Sequence, residues 1–476
     1  MILGVEGFGP HKWASVERAR SFYSRALSPE FEFRVIDSPA DLSNPTLDAV
    51  LAFDHHWWKE PHPNCPLLFP VHGGAILDRE FFNAHLQSLQ TSDVLIVNCT
   101  SDITILRKFF AEAAPIICHL PYPVDTDLFR PRDPRECREA LSIESADYVV
   151  GFVGRLLPQR NLHQFLRMLA DLKRRLLPRR VMGLVIGSYW VDYPALNYDT
   201  PNYQPYIGNL LHELNLKDDI IYFRGDLCDE ELQLCYGAMD FLLHPTNSID
   251  ENFGYVAVEA MACATPVVAA AYGGLKDTVV SDETGFLMKT WTTRSGIRMD
   301  LIRGLEDATR LLREPSLRNE MGEAAVKRTH ENYVYNVSAA KLVDAVKQAI
   351  KKHAVGESRP VSAVKVEAEV RMYGLLPAID RPWEYYEKGV AEYVSDRTPK
   401  LSPESKLRVA APLVANGSGA YVLDDPAWPA SFQLSAREFA IAERCKDVVS
   451  IAELEPELNH PQLIERLIHD GLLLCS

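Results

Sequence analysis

Residues 240–270 constrain the fold more than any other stretch. Asp240-Phe241-Leu242-Leu243-His244 is a short apolar run of strand type, followed by a polar loop from Pro245 to Asp250. The period then changes. Val256, Glu259, Ala260 and Cys263 recur at helical spacing among the helix formers Ala257, Met261 and Ala262. Pro266-Val267-Val268-Ala269-Ala270 returns at once to strand character. Strand and helix alternating in this way mean a parallel α/β sheet. The spacing starts the helix near Asn252 and Phe253, with Glu251 just outside it. First-turn amides have no partner inside a helix and carry the positive end of its dipole, so such a start is an anion site with phosphate its usual occupant. Gly254 leaves room for a ligand to approach the backbone there. Glu259 follows about two turns further on. Two carboxylates so placed can bind hydroxyl groups on either side of a diphosphate. The competing reading is an ordinary buried helix with a chance pair of glutamates.

The same alternation runs through most of the chain. Strand-like segments at Met1–Val5, Phe31–Ile36, Asp48–Phe53, Pro66–Val71, Val94–Asn98 and Ile116–Leu120 alternate with helical stretches, the first from Ser15, a candidate N-cap, to Leu27. Ligands of parallel sheets bind where strands end at their carboxyl side. Three such ends stand out. Gly7 and Gly9 follow the first strand and are either a phosphate loop or a simple tight turn. His72, before Gly73-Gly74, follows the Pro66–Val71 strand and is a candidate cleft residue. Asp54-His55-His56-Trp57-Trp58 is either an acceptor-side wall or a local aromatic cluster; its spacing does not support a metal site.

A second series begins with Tyr148–Val153, which ends in Gly154-Arg155-Leu156-Leu157-Pro158-Gln159-Arg160-Asn161 before a helix over Leu162–Leu176. Two cations five residues apart on a strand-to-helix turn can clamp a diphosphate and offset the charge of a leaving nucleotide; the alternative is a solvated basic turn. Strands at Val181–Ile186 and Ile220–Phe223 follow, the latter ending in Arg224-Gly225-Asp226, with a Tyr- and Asn-rich connection, Tyr189–Tyr206, between them. Ser316–Lys352 is strongly helical.

With 476 residues the chain exceeds one core, and two or three domains are expected. A net charge of -15 opposes a broad basic nucleic-acid surface. No apolar run approaches the ~20 residues of a membrane span, and the N-terminal residues do not read as a signal peptide. The nine cysteines form no C-x-x-C pair. These features predict reduced cysteines and a cytoplasmic protein.

The texture changes near Leu401. Arg408–Leu413 and Ala420–Leu423 read as strands around Asn416-Gly417-Ser418-Gly419. Ser435-x-x-Glu438 and Ser450-x-x-Glu453 read as capping boxes, each opening a short helix. A third helix runs over Pro461–Asp470, and Leu472–Leu474 closes as a strand. This is a small winged-helix pattern, acidic and lacking the basic stripe that DNA binding requires.

The run Glu251-Asn252-Phe253-Gly254 to Glu259-Ala260-Met261, with Pro266-Val267-Val268, Gly273-Gly274 and Thr284-Gly285, resembles the nucleotide-sugar motif of family 4 glycosyltransferases and their retaining GT-B relatives. Gly154-Arg155-Leu156 with Arg160 resembles a second motif of that family, and Asp125, Phe129 and Pro131 match its hinge-side segment. Asn252, Asn161 and Ala264 stand where the family has glycine, and Arg160 where it has lysine. The resemblance covers about Met1–Lys352. It implies an α/β fold of two Rossmann-like domains in a GT-B arrangement, here with a small C-terminal α+β winged-helix-like domain. The expected boundaries are 1–140, 141–352, a connector 353–400, and 401–476.

The resemblance also implies retaining, metal-independent transfer of a hexosyl or N-acetylhexosaminyl group from a nucleotide sugar, most often UDP-linked, without a resident cofactor. Arg155 and Arg160 would bind the diphosphate, Glu259 the ribose and Glu251 the donor sugar. The amides of Phe253 and Gly254 would hold phosphate or sugar, with Gly7 and Gly9 lining the donor side. His72, with Glu251, would approach the reacting centre. The tail also resembles modules that hold precursor peptides, which makes a peptide or natural product a candidate acceptor; a glycan or lipid-linked acceptor is another. A plain dimerisation or packing domain, the former giving a homodimer, is the alternative for the tail. A non-catalytic nucleotide-sugar-binding regulator is the rival for the whole chain.

Overall fold

The structure, a computed structural model, describes residues 1–10, 14–53, 62–75, 88–143, 145–189, 200–223, 225, 227–362, 390–417 and 419–476. The cluster Asp54–Trp58, together with Arg224, Asp226 and the Trp383–Tyr386 part of the connector, lies outside the described residues. Two compact units form. The first gathers Met1–Asp125, Ile249–Tyr255 and Thr329–Pro377; the second gathers Thr126–Ser248, Val256–Arg328 and Ala378–Ser476.

In the first unit β1 (Ile2–Glu6), α1 (Ala14–Leu27), β2 (Glu32–Val35), β3 (Ala49–Ala52), β4 (Leu67–Pro70), β5 (Val94–Val97), α2 (Thr100–Arg107) and β6 (Ile116–His119) follow in turn. The six strands form one parallel sheet in the order β2-β1-β3-β4-β5-β6. The central strands are buried apolar runs, as a sheet covered on both faces requires. Helix α1 already includes Ala14, so Ser15 lies inside the helix and is not its cap.

The second unit continues with α3 (Pro134–Ala140), β7 (Tyr148–Val153), α4 (Leu162–Arg175), β8 (Val181–Ile186), α5 (Thr200–Glu213), β9 (Ile220–Phe223), α6 (Asp229–Ala238), β10 (Phe241–His244), α7 (Tyr255–Ala262), β11 (Val267–Ala270), α8 (Leu275–Thr278) and β12 (Gly285–Met288). Its sheet is also six-stranded and parallel, in the order β12-β11-β10-β7-β8-β9. The order reverses between β7 and β10, so the loops after these two strands flank the crevice where ligands of such sheets bind. The Tyr-rich connection is partly helical: Tyr203, on α5, is fully buried.

A hairpin of β13 (Thr290–Thr293) and β14 (Gly296–Met299) precedes three helices: α9 (Leu301–Arg313), α10 (Pro315–Asn332) and α11 (Tyr335–Ala354).

The tail packs within the second unit. The single strand expected over Arg408–Leu413 is two: β15 (Lys406–Val409) and β16 (Leu413–Ala415). They belong to different sheets, because Pro412 has no N–H for a continuous ladder. Strands β16, β17 (Tyr421–Leu423) and β18 (Ala430–Phe432) form one antiparallel sheet. Helix α12 (Ala436–Arg444) starts at the Ser435/Glu438 capping box, as expected. The Ser450/Glu453 box, after β19 (Val449–Ser450), opens only a 3-10 turn over Ile451–Glu453. Pro456 explains this, since it cannot continue a helix there. Helix α13 (Pro461–His469) and β20 (Leu473–Cys475) close the chain, with β19, β15 and β20 as a second antiparallel sheet. Arg408 bonds Asp171 on α4 at 2.8 Å, and Arg298 on β14 donates to the Gly471 carbonyl at 2.8 Å.

Candidate active site

The loops after β7 and β10 carry most of the expected donor residues. Gly154 leaves β7 with φ +151°, a backbone region that side chains rarely tolerate. Half-buried Arg155 follows, then a 3-10 turn over Pro158–Arg160 that ends at Asn161 in the left-handed conformation, φ +60° and ψ +38°. Glycine adopts this conformation most readily, which agrees with the motif that the turn resembles. Ala264, another of the three positions where the resemblance puts glycine, also has positive φ, +61°. Asn161 uses its side chain to tie the two loops together: Nδ2 donates to the Pro245 carbonyl at 2.8 Å and to Asn247 Oδ1 at 2.9 Å. Arg160 Nη1 lies 3.3 Å from Thr246 Oγ1. Arg160 therefore stands on the β7 turn with its guanidinium at the β10 loop, within the crevice that the strand order defines.

Glu259, on α7, is 3% exposed, and its Oε2 accepts a hydrogen bond from Tyr236 Oη at 2.8 Å. The phenol fixes the rotamer of a carboxylate that would otherwise be costly to bury. Tyr236 has no local sequence signal for this role, since it lies 23 residues earlier on α6.

The helix itself begins at Tyr255, later than the sequence spacing predicts, because Gly254 has φ +88° and cannot be helical. Glu251, Asn252, Phe253 and Gly254 form the approach to its first turn and group with the first unit. There Asn252 Nδ2 donates to the His72 carbonyl at 3.0 Å, with the Val71 carbonyl at 3.4 Å. The Phe253 ring stands edge-on to Tyr122 at 5.5 Å, and Tyr122 Oη is 3.5 Å from His72 Nδ1. The His72 ring also lies 4.4 Å from that of Phe53, just after β3. Phe53 packs edge-on against Phe8, between Gly7 and Gly9, at 5.4 Å. Gly7 has φ +65°, and the space where a Gly9 side chain would project is open. The first unit thus brings Gly7, Gly9, His72 and the Glu251–Gly254 segment to one region. Glu251 is buried at 6% exposure.

Among the described residues no group of three or more His, Cys, Asp or Glu side chains is placed to hold a metal ion. No described helix is long and apolar enough to cross a membrane. All nine cysteines are free thiols, and all but Cys228 are buried.

Two parallel Rossmann-like units with these crevice loops define a chain of GT-B type, and residues 133–328 match the family of glycosyl transferases group 1. A D-inositol 3-phosphate glycosyltransferase of Corynebacterium aurimucosum is 32% identical over 243 residues, which cover 50% of this chain and 53% of that protein. The chain spans about half the length of the curated relatives it matches. Two solved structures share the fold. Sucrose-phosphate synthase from Thermosynechococcus elongatus has a TM-score of 0.57 at 17% identity, covering 74% of this chain and 99% of that one. Anabaena HepE in complex with UDP has a TM-score of 0.52 at 16% identity, covering 73% and 99%.

Proposed function

We propose that the chain is a retaining, metal-independent glycosyltransferase that moves a sugar from a UDP-linked donor to an acceptor. The observation that carries the reading is the pairing of the β7 and β10 loops at the strand-order reversal, with Arg160 at the β10 loop and Glu259, on the helix that follows, held by Tyr236. Arg155 and Arg160 take the diphosphate, since fixed cations there stabilise the charge that develops on the leaving group. Glu259 takes the ribose hydroxyls. Glu251 takes hydroxyls of the donor sugar, and the amides of Phe253 and Gly254 hold phosphate or sugar. Gly7 and Gly9 line the donor side, and His72 approaches the sugar. The acceptor oxygen forms a bond to the anomeric carbon as the bond from that carbon to the phosphate oxygen breaks. The acceptor proton passes to the leaving diphosphate, so no dedicated side-chain base is required.

The acceptor is a peptide or natural product in this reading. Strand β16 lies at one edge of its sheet with Val414 55% exposed. A groove of about 340 Å³ beside it is lined by Tyr206, Val414, Val422 and Pro426, among others. An edge strand beside an apolar groove suits an added extended peptide.

Incubating the full chain with a panel of nucleotide sugars and measuring nucleotide release tests the activity. Release from UDP sugars that persists in EDTA, with products of unchanged anomeric configuration by NMR, is the expected result. Release that requires added divalent metal overturns metal independence, and an inverted product overturns retention. Tight nucleotide-sugar binding with no turnover favours the regulator.

A further inference from the structure

We propose that the C-terminal tail is part of the donor site's framework: the Asp424–Trp428 loop holds the two donor-binding loops in place, with Trp428 as a positioning residue. This rests on the donor-site reading above. Trp428 is 4% exposed, and its indole Nε1 donates to Asn247 Oδ1 at 3.2 Å. That oxygen also receives Asn161 Nδ2. One buried carbonyl oxygen therefore joins three segments: the turn bearing Arg160, the loop after β10, and the tail, 181 residues from Asn247.

The loop that presents Trp428 is itself anchored at the start of α4, the helix that follows Arg160. Asp425 Oδ1 accepts from the backbone amides of Ala427, at 3.0 Å, and Trp428, at 3.3 Å. It also accepts from His163 Nε2 at 3.0 Å. An ionised carboxylate only accepts, so His163 Nε2 carries the proton given to Asp425. The Tyr203 hydroxyl accepts the His163 backbone N–H at 3.3 Å and lies 3.1 Å from His163 Nδ1. One helical turn further on, Arg167 Nη2 donates to both the Asp424 carbonyl and its carboxylate at 2.8 Å. Behind the indole, a side chain at Gly296 on the β13–β14 hairpin would come within 2.5 Å of the Trp428 ring, so the ring has no room to retreat.

A tail that only packed or captured a partner would have no need of a bond to the loop after β10 beside anchors on the helix that follows Arg160. These bonds instead make the tail's placement and the geometry of Arg160 a single arrangement. Hydrogen bonds inside such a shared network are coupled rather than additive.

The test is calorimetric titration of UDP into the full chain and into Trp428→Phe, Asn247→Ala and the double variant, well below each one's melting temperature, with steady-state kinetics alongside. Phe keeps the aromatic volume and removes the N–H. The expected result is UDP affinity lower by about five-fold in Trp428→Phe, as for one neutral hydrogen bond. KM for the donor should rise with little change in kcat, and the double variant should be no weaker than Asn247→Ala. Wild-type UDP affinity in a Trp428→Phe protein that melts lower makes Trp428 structural only and overturns the proposal. Additive losses in the double variant also overturn it. A wild-type chain that does not bind UDP refutes the donor-site reading itself, which separates the two failures.

Discussion

Asn161→Gly places glycine at the left-handed position that ends the β7 turn, and the structure predicts that it weakens the protein. The backbone terms come close to cancelling. A left-handed conformation costs a non-glycine residue about 1–2 kcal/mol, less for asparagine, while glycine loses roughly 0.5–1 kcal/mol more conformational freedom on folding. What remains is the side chain. Asn161 is 1% exposed and makes two buried hydrogen bonds, at 2.8 Å and 2.9 Å. At about 1 kcal/mol each, with the buried Pro245 carbonyl losing that donor, the net loss is about 2 kcal/mol. For a unit of this size that is a fall of about 3 °C in melting temperature. Thermal melts followed by circular dichroism at fixed pH and protein concentration measure it. An Asn161→Gly protein melting at or above wild type would refute the reasoning, because backbone relief would then outweigh the link between the loops.

Three further outcomes follow from particular contacts. Gly322→Ala adds a Cβ 2.5 Å from the Ala264 carbonyl oxygen, so despite alanine's better helix propensity it should cost about 1–3 kcal/mol in urea denaturation; a neutral effect would mean that α10 shifts freely. Tyr236→Phe removes the donor to Glu259 and should weaken UDP binding roughly tenfold, as expected for a hydrogen bond to a charged group; unchanged affinity by calorimetry would remove Glu259 from the ribose role. Burial pushes the His163 imidazole below its ordinary 6.5. The unfolded state then takes up a proton that the folded state resists, so stability falls as pH drops below about 6.5. For Asp425, burial opposes ionisation, but the His163 hydrogen bond and the charges of Arg298 and Arg167 outweigh it and hold the carboxyl well below the usual range. Its contribution is lost only at much lower pH. His163→Gln should therefore flatten the decline in melting temperature between pH 6.5 and about 5; equal slopes would refute a neutral buried His163.

The sheets were legible because their strands are short apolar runs bounded by turn residues, and the strand-to-helix turns carry the charged residues that mark the crevice. Tyr148–Val153, Val181–Ile186 and Ile220–Phe223 fall where the pattern puts them. Local conformations that override the pattern were not legible. The helix after Glu251 begins at Tyr255 because of the backbone at Gly254. Pro412 splits one expected strand into two sheets, and Pro456 limits one expected helix to a 3-10 turn. The long-range bonds left no trace in the pattern. Tyr236 reaches Glu259, Trp428 reaches Asn247 and Asp425 reaches His163 across 23, 181 and 262 residues. The surroundings of Tyr236, Trp428 and Asp425 carry no signal in sequence for these contacts, so the tail read as a separate module although it packs within the second unit.

The central claim is that the crevice between β7 and β10 binds the diphosphate of a nucleotide sugar. Its most direct test is calorimetric titration of UDP, in EDTA, into the wild-type chain and into Arg160→Ala and Arg155→Ala. The account predicts saturable binding by the wild type, with affinity at least about tenfold lower in each variant, as for losing a charge-assisted contact to phosphate. UDP binding of equal affinity in all three proteins, or none in the wild type, would contradict it.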